Sequence, residues 1–152
     1  MANSTVNRLP IRVGETYHTG QAPVHGGAHI FAGCMIAALA SGGMAVPGST
    51  ASSGAAFGVS THEQDATSAS DDTLQVRYET DSDFVFDNDT AAAFSDSTPI
   101  GTVAYMVDDH TVSTSSNSGA RFAAGTFRGM LPEGPRIHIS GNMPLMMAGL
   151  AS

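Results

Sequence analysis

The clearest pattern along the chain is an alternation of apolar and polar side chains that recurs in short segments. It runs through residues 74–78 and 103–107, and it returns at Ile137 and Ile139. Because successive side chains of a β-strand point to opposite faces, this alternation predicts strands that each bury one face. Turn-forming residues separate the segments about every 8–12 residues, and no segment has the period of a long amphipathic helix. The sequence therefore predicts an all-β fold, either a small β-barrel or a β-sandwich.

One segment is apolar throughout rather than alternating. Residues 29–39 contain no acidic residue and no Arg, so they predict a buried strand or two short strands. Ser, Gly and Gly at 41–43 then predict a tight hairpin turn. By contrast, residues 62–72 are polar and acidic, and we expect a long exposed loop there. A turn at 81–83 is predicted to lead into a further strand at 84–86.

The first 27 residues differ from this middle region, because Pro and Gly interrupt them repeatedly. We expect an extended N-terminal arm at 1–27, followed by a β-domain at 28–140. Leu9, Ile11 and Val13 nevertheless alternate with their neighbours. The arm therefore either adds as a strand to the sheet edge of a neighbouring molecule or is a disordered terminus.

The last residues, 141–152, are apolar and contain three of the eight Met residues within five positions. Met side chains are flexible and polarisable, and they suit adaptable contacts between surfaces. We expect this C-terminal tail to pack between subunits, with folding back over its own barrel as the alternative.

The net charge of the chain limits the classes of partner that it is expected to bind. The chain has 6 Arg, no Lys and 14 acidic residues, which gives a formal net charge of −8. A phosphate backbone would be repelled by this surplus, so nucleic-acid binding is not expected. Nine of the acidic residues fall between Asp65 and Asp96, whereas the arm has only Glu15. We therefore expect one acidic, solvent-facing rim in the middle of the chain, with apolar or basic ends.

Membrane insertion and secretion are not expected either. The longest apolar stretch, residues 28–40, is shorter than the roughly 20 residues that a membrane-spanning helix needs. No apolar signal-peptide segment follows Met1, so we expect the protein to be made in the cytoplasm. Cys34 is the single cysteine, which excludes an intrachain disulfide, and its apolar neighbours predict a buried, unreactive thiol.

Three histidines of the N-terminal region are candidate metal ligands. His18, His25 and His29 have a ligand-like spacing, but Gly26 and Gly27 lie between the last two, and no Cys pair is nearby. Zinc requires three or four ligands on a defined scaffold. Scattered surface histidines are therefore the favoured interpretation.

Two pairs of aspartates raise the question of a calcium site. The pair Asp81 and Asp83 and the pair Asp87 and Asp89 flank a short strand, which places them about 10 Å apart. Calcium takes six to eight oxygen ligands at one point, so ordinary turns are favoured. The Asp-Asp-His sequence at 108–110 is likewise predicted as a turn. Because no catalytic motif or phosphate-binding loop is found, no enzyme activity, metal or cofactor is expected.

Five segments carry a resemblance to a known family: 29–49, 58–59, 74–78 with 84–88, 100–112, and 124–125 with 135–139. The most specific is 100–112, which reads I-G-T-V-A-Y-M-V-D-D-H-T-V. In order and spacing, these segments resemble those of the small capsid cement, or head decoration, proteins of tailed bacteriophages. In that family, the segment that 74–88 resembles forms a β-hairpin.

The resemblance implies a compact β-barrel or β-sandwich that binds the outer surface of an icosahedral phage head. Such proteins bridge adjacent major capsid protein subunits and hold them against the pressure of packaged DNA. The expected partners are the major capsid protein and further copies of this chain, as a homotrimer with a dimer as the alternative, on the virion. A glycan-binding β-module displayed on the virion, or a head-fibre base, is the alternative. With no Trp and only three Tyr, the chain offers little of the aromatic surface that such a module would use.

Residues are assigned to the two expected interfaces from their apolar or basic character. The expected capsid contacts lie in the arm and are Arg8, Leu9, Ile11, Arg12 and Val13. The expected self-association residues are Ile137, Ile139, Met143, Leu145, Met146 and Met147.

Overall fold

A computed structural model describes residues 3–8 and 12–141, and no helix occurs among them. The strands are β1 (His18–Pro23), β2 (His29–Ile30), β3 (Met35–Leu39), β4 (Ala45–Pro47), β5 (Ser53–Ser60), β6 (Gln64–Asp65), β7 (Gln75–Thr80), β8 (Ser82–Val85), β9 (Asp87–Asn88), β10 (Val103–Met106), β11 (Thr111–Ser113), β12 (Ala123–Leu131) and β13 (Gly134–Ile139). The predicted all-β fold is confirmed.

These strands form two main sheets and a two-stranded ribbon. The first sheet has the strand order β1-β7-β5-β3-β4, the second has the order β8-β13-β12-β10-β11-β9, and β2 pairs with β6. Neighbouring strands are antiparallel, except that β9 and β11 run parallel. Several of these pairings join strands that are far apart in the sequence, such as β1 with β7 and β8 with β13.

The two sheets pack against each other around the main core. Met35 and Val59 of the first sheet meet Phe127 and Ile137 of the second in one cluster of buried side chains. Phe94 stacks on Phe127 with 4.7 Å between the ring centroids. Burial of this apolar surface is the main source of the stability of the fold.

The first sheet is also buried on its other face. Ile36 follows Met35 along β3 and therefore points to the opposite side, where it packs with Val24, Ala45 and Val76. An isolated parallel bridge between Val24 and Ala45 brings the two edges of this sheet together, so the sheet curls around the second cluster. Burial on both faces explains why β3 is continuously apolar rather than alternating.

Several local predictions are confirmed. The apolar run 29–39 forms two short strands, β2 and β3, and β3 pairs with β4 across the predicted turn at 41–43. Gly42 and Gly43 have φ angles of 89° and 70°, a region that glycine adopts at little cost. Within the predicted loop 62–72, regular structure is limited to β6.

The turn predicted at 81–83 is confined to Asp81, because Ser82 and Asp83 already belong to β8. No hairpin forms here, so that implication of the resemblance is wrong. β7 belongs to the first sheet, whereas β8 pairs with β13 in the second. The chain crosses between the sheets at Asp81, whose φ is 56°. The physical reason is that Val76 of β7 is buried in the second cluster, while Phe84 of β8 is buried in the main core.

The predicted boundary at residue 27 is also wrong, because β1 pairs with β7 along its full length. Upstream of β1, Arg12 forms an isolated bridge with Phe84, and the Val13 N–H donates to the Asp83 carbonyl oxygen at 3.0 Å. These contacts cover the free edge of β8. The described part of the arm thus pairs with a sheet edge of its own chain.

Candidate functional site

Residues 3–8 lie against two turns of the β-domain. The Ser4 N–H donates to Asp109 Oδ1 at 2.9 Å, and the Asp109 N–H donates to Asn3 Oδ1 at 3.0 Å. At the other end of the segment, the Arg8 N–H donates to the Ala32 carbonyl oxygen at 2.7 Å. This segment is therefore fixed to the β10–β11 turn and to the turn before β3.

The two Arg residues predicted to contact a capsid are held in ion pairs within the chain. Arg8 Nη2 lies 3.0 Å from Asp87 Oδ2, and Arg12 Nε lies 3.3 Å from Glu79 Oε2. The Arg12 guanidinium also lies over the Tyr17 ring, 3.6 Å from its centroid. A contact of either Arg with another protein would therefore compete with an internal acid.

The other predicted capsid contacts have different positions. Val13 is half-buried beside β8, and Leu9 and Ile11 lie outside the described residues. Val6 is 64% exposed and Tyr17 is 41% exposed, so the arm does present apolar surface to solvent. The alternation that selects positions 9, 11 and 13 does not extend to Val6, which is why the sequence pattern missed it.

The prediction that Ile137 and Ile139 mediate self-association is wrong. Both side chains are 0% exposed in the main core, because the alternation along β13 points them at the first sheet. They have no surface that a second copy could contact. The remaining predicted self-association residues lie outside the described residues, namely Met143, Leu145, Met146 and Met147.

On the outward face of β13, Arg136 and His138 bind the carboxylate of Asp83 in β8. Arg136 Nε donates to Asp83 Oδ2 at 2.6 Å, and His138 Nδ1 lies 2.7 Å from Asp83 Oδ1. Burial raises the pKa of Asp83, but the hydrogen bonds from His138 and Arg136 outweigh it and leave that pKa lowered. The negative charge of Asp83 is thus matched within the chain.

The acidic rim expected between Asp65 and Asp96 is only partly present. Asp71 and Asp96 are exposed, but Asp83 and Asp89 are each less than a tenth exposed. Asp89 Oδ2 lies 3.7 Å from Arg121 Nη1. The prediction is wrong for these two residues, because Arg136 and His138 pack over Asp83 and Arg121 lies beside Asp89.

The three N-terminal histidines are not brought together. Each lies beside a different acid, namely His18 by Asp81, His25 by Asp71 and His29 by Glu63. The hydrogen bond from His29 is the main cause of a lowered pKa at Glu63. These pairs are exposed to solvent, where ion pairs contribute little to stability.

One group of ligand-type side chains is gathered at the turn that the sequence predicted between β10 and β11. His110 Nδ1 lies 2.8 Å from Asp109 Oδ1 and 3.2 Å from Asp108 Oδ1. Ser4 Oγ lies 3.1 Å from the same nitrogen. The sequence signal for this group was the presence of two adjacent acids and a His between two strands. A turn explains these residue types equally well, so the sequence did not distinguish a ligand group from a turn.

Cys34 borders this group, and its predicted burial is confirmed. Desolvation, together with the negative charge of Asp109, raises the pKa of the thiol to about 12. The protonated thiol is a poor nucleophile and a poor metal ligand, since both roles require the thiolate.

The described residues include no helix long and apolar enough to cross a membrane. Comparison of the chain with protein-family models, with curated proteins and with solved structures finds no match to any of them.

Proposed function

We propose that this chain is a head decoration protein of a tailed bacteriophage, which binds the outer surface of the head and bridges adjacent major capsid protein subunits. The observation that carries the proposal is the ordered series of five family-like segments, above all residues 100–112. In the fold, that segment supplies β10, the Asp108–His110 turn and β11.

The distribution of charge and apolar surface supports this role. Residues 1–27 carry two Arg and one Glu, whereas the whole chain has a net charge of −8. Val6 and Tyr17 add exposed apolar surface to the same region. The arm therefore differs in character from the acidic body, as expected of a protein that binds a shell on one side and faces water on the other.

The proposed mechanism uses binding energy alone. Each copy adds interface area between capsid subunits, and that area must be lost before the shell can rupture. Because a head offers many equivalent sites, a modest contact per copy suffices, and self-association into a homotrimer or a dimer would raise the effective concentration further.

The experiment compares heads of the encoding phage with and without this protein. Heads that lack it should be more sensitive to heat and osmotic shock, and adding the purified protein back should restore their resistance. Electron cryomicroscopy of the restored heads should show it on the outer surface, across contacts between capsid subunits. Unchanged resistance, or protein absent from the head surface, would overturn the proposal, and glycan binding without head binding would favour a displayed binding module.

A further inference from the structure

The turn between β10 and β11 concentrates negative charge where little water reaches it. Asp108 and Asp109 are each 1% exposed. Among the residues that the structure describes, His110 is the cation-forming side chain within ion-pair distance of both. Burying two adjacent carboxylates is costly unless a positive charge lies between them. The arrangement therefore favours a bound cation.

A second observation points to the same place. Oδ1 of Asp108 accepts the backbone N–H of His110 at 3.0 Å. Its other oxygen, Oδ2, is buried and has no hydrogen-bond partner within residues 3–8 and 12–141. A buried carboxylate oxygen without a partner loses its hydration and gains nothing in return, whereas a metal ion at this carboxylate would satisfy it.

We propose that Asp108, Asp109 and His110 form a binding site for a divalent transition metal ion, with Zn²⁺ as the best-fitting ion. The three ligand atoms lie within 4.8 Å of one another. Zinc holds nitrogen and oxygen ligands at about 2.0–2.2 Å in a tetrahedron, which separates neighbouring ligand atoms by about 3.3–3.6 Å. The 2.8 Å and 3.2 Å separations from His110 Nδ1 are shorter than this, so the side chains need to move apart by about half an ångström or less when the ion binds.

The donor set distinguishes between metals. An imidazole nitrogen beside carboxylates suits zinc, whereas calcium takes six to eight oxygen ligands and magnesium retains most of its water. When Nδ1 of His110 binds the ion, the ring hydrogen resides on Nε2. The hydroxyl of Ser4, 3.1 Å from Nδ1, is placed to supply the fourth ligand, directly or through water.

Metal binding here would also fasten the N-terminal segment. Ser4 and Asn3 contact Asp109 through the hydrogen bonds described above. An ion bound by Asp109 and Ser4 would therefore hold residues 3–8 against the β10–β11 turn. An ion that binds the folded chain and not the unfolded chain raises the melting temperature by mass action. The site is independent of the proposed capsid role.

His29 provides a matched control, because it also lies near two acids. Its Nε2 is 2.6 Å from Glu63 Oε2, and its Nδ1 is 3.8 Å from Asp65 Oδ1. The two nitrogens of an imidazole ring point in different directions, so a single ion cannot bind both acids through this ring. Glu63→Gln should therefore leave zinc binding unchanged.

The test titrates Zn²⁺ into metal-free, full-length protein by calorimetry and records thermal unfolding. We expect one equivalent to bind and to raise the melting temperature. Loss of a residue that only hydrogen-bonds to a metal ligand lowers metal affinity about 10–100-fold. Loss of a ligand itself, in Asp108→Asn or His110→Gln, should therefore lower the affinity for Zn²⁺ about 100-fold or more. Absence of saturable binding by the wild type, or an equal loss in Glu63→Gln, would overturn the proposal.

A measurement on the wild type alone guards against variants that fail to fold. Nitrogen-15 spectra of the histidine rings should show Zn²⁺ shifting the Nδ1 resonance of His110 and leaving that of His29 in place. If zinc shifts His29 and not His110, the assigned site is wrong.

Discussion

Arg136 donates a hydrogen bond from Nε to Oδ2 of Asp83 at 2.6 Å, which joins the neighbouring strands β13 and β8 through a carboxylate that is 8% exposed. Replacing Asp83 by Asn removes the charge and leaves Arg136 and His138 without their acid. A hydrogen bond to a charged group contributes about 1.5–3 kcal/mol, so Asp83→Asn should lower the free energy of unfolding by about 2 kcal/mol. Urea denaturation at pH 7 measures this change, and Asp96→Asn at an exposed position should change it by less than about 0.5 kcal/mol.

The same carboxylate predicts a pH dependence. The folded-state pKa of Asp83 is lowered, so its contribution is complete above the unfolded-state pKa of about 3.9 and is lost as the pH falls through the folded-state value. The difference in unfolding free energy between wild type and Asp83→Asn should therefore shrink below about pH 4. A difference that stays constant down to pH 2 would contradict this assignment.

Gly33 is predicted to be intolerant of a side chain for two separable reasons. Its φ is 77°, and a Cβ there would collide with the carbonyl oxygen of Arg8. At Gly27, φ is 92° and a Cβ would meet open space. Gly27→Ala should therefore lower the free energy of unfolding by about 1–2 kcal/mol, which is the cost of a left-handed backbone with a side chain. Gly33→Ala should lower it by at least about 1 kcal/mol more, because of the collision, and urea denaturation measures both changes.

Trypsin provides a second readout for this pair of variants. Displacement of residues 3–8 should accelerate tryptic cleavage after Arg8 in Gly33→Ala and leave it unchanged in Gly27→Ala. Equal cleavage rates would mean that the contact between Gly33 and Arg8 does not hold the segment in place.

Ile137 tests the correction to the predicted self-association surface. A fully buried Ile replaced by Ala costs about 2–5 kcal/mol, since it loses transfer free energy and leaves a cavity. Ile137→Ala should therefore lower the free energy of unfolding and leave the sedimentation coefficient of the folded protein unchanged. If the variant is fully folded but an oligomer of the wild type dissociates, Ile137 does contribute to self-association.

The alternation at Ile137 and Ile139 shows what the sequence could and could not predict. A period of two establishes that one face of β13 is buried, and the fold confirms the strand. The period is identical whether the buried face meets the chain's own core or another copy, so the partner could not be inferred. The same limit applies to 81–83, because turn residues do not reveal whether the next strand returns to the same sheet.

The Asp108–His110 site was missed for a different reason. Asp and His favour turns through their local hydrogen bonds, so a turn explained these residues without any ligand. The feature that distinguishes them is burial beneath residues 3–8, which depends on contacts more than 100 positions apart in the chain. Single-sequence patterns carry no information about contacts of that range.

Cys34 should be unreactive in the folded protein. Its thiol pKa is raised to about 12, so very little thiolate exists at pH 8. Iodoacetamide should label the urea-unfolded chain readily and the native chain only at the rate of unfolding. Rapid labelling of native protein, checked by mass spectrometry, would show that the thiol is accessible.

Val6 and Ile100 together test whether the N-terminal arm contacts a capsid. They are 64% and 65% exposed, which makes them a matched pair of apolar side chains at different places on the surface. A buried Val contributes about 1.5–3 kcal/mol to an interface, and every 1.4 kcal/mol is a tenfold change in affinity. Val6→Asp should thus weaken binding to undecorated heads at least about tenfold, whereas Ile100→Asp should bind as the wild type does. Co-sedimentation with heads measures both, and a loss confined to Ile100→Asp would move the contact surface to the turn before β10.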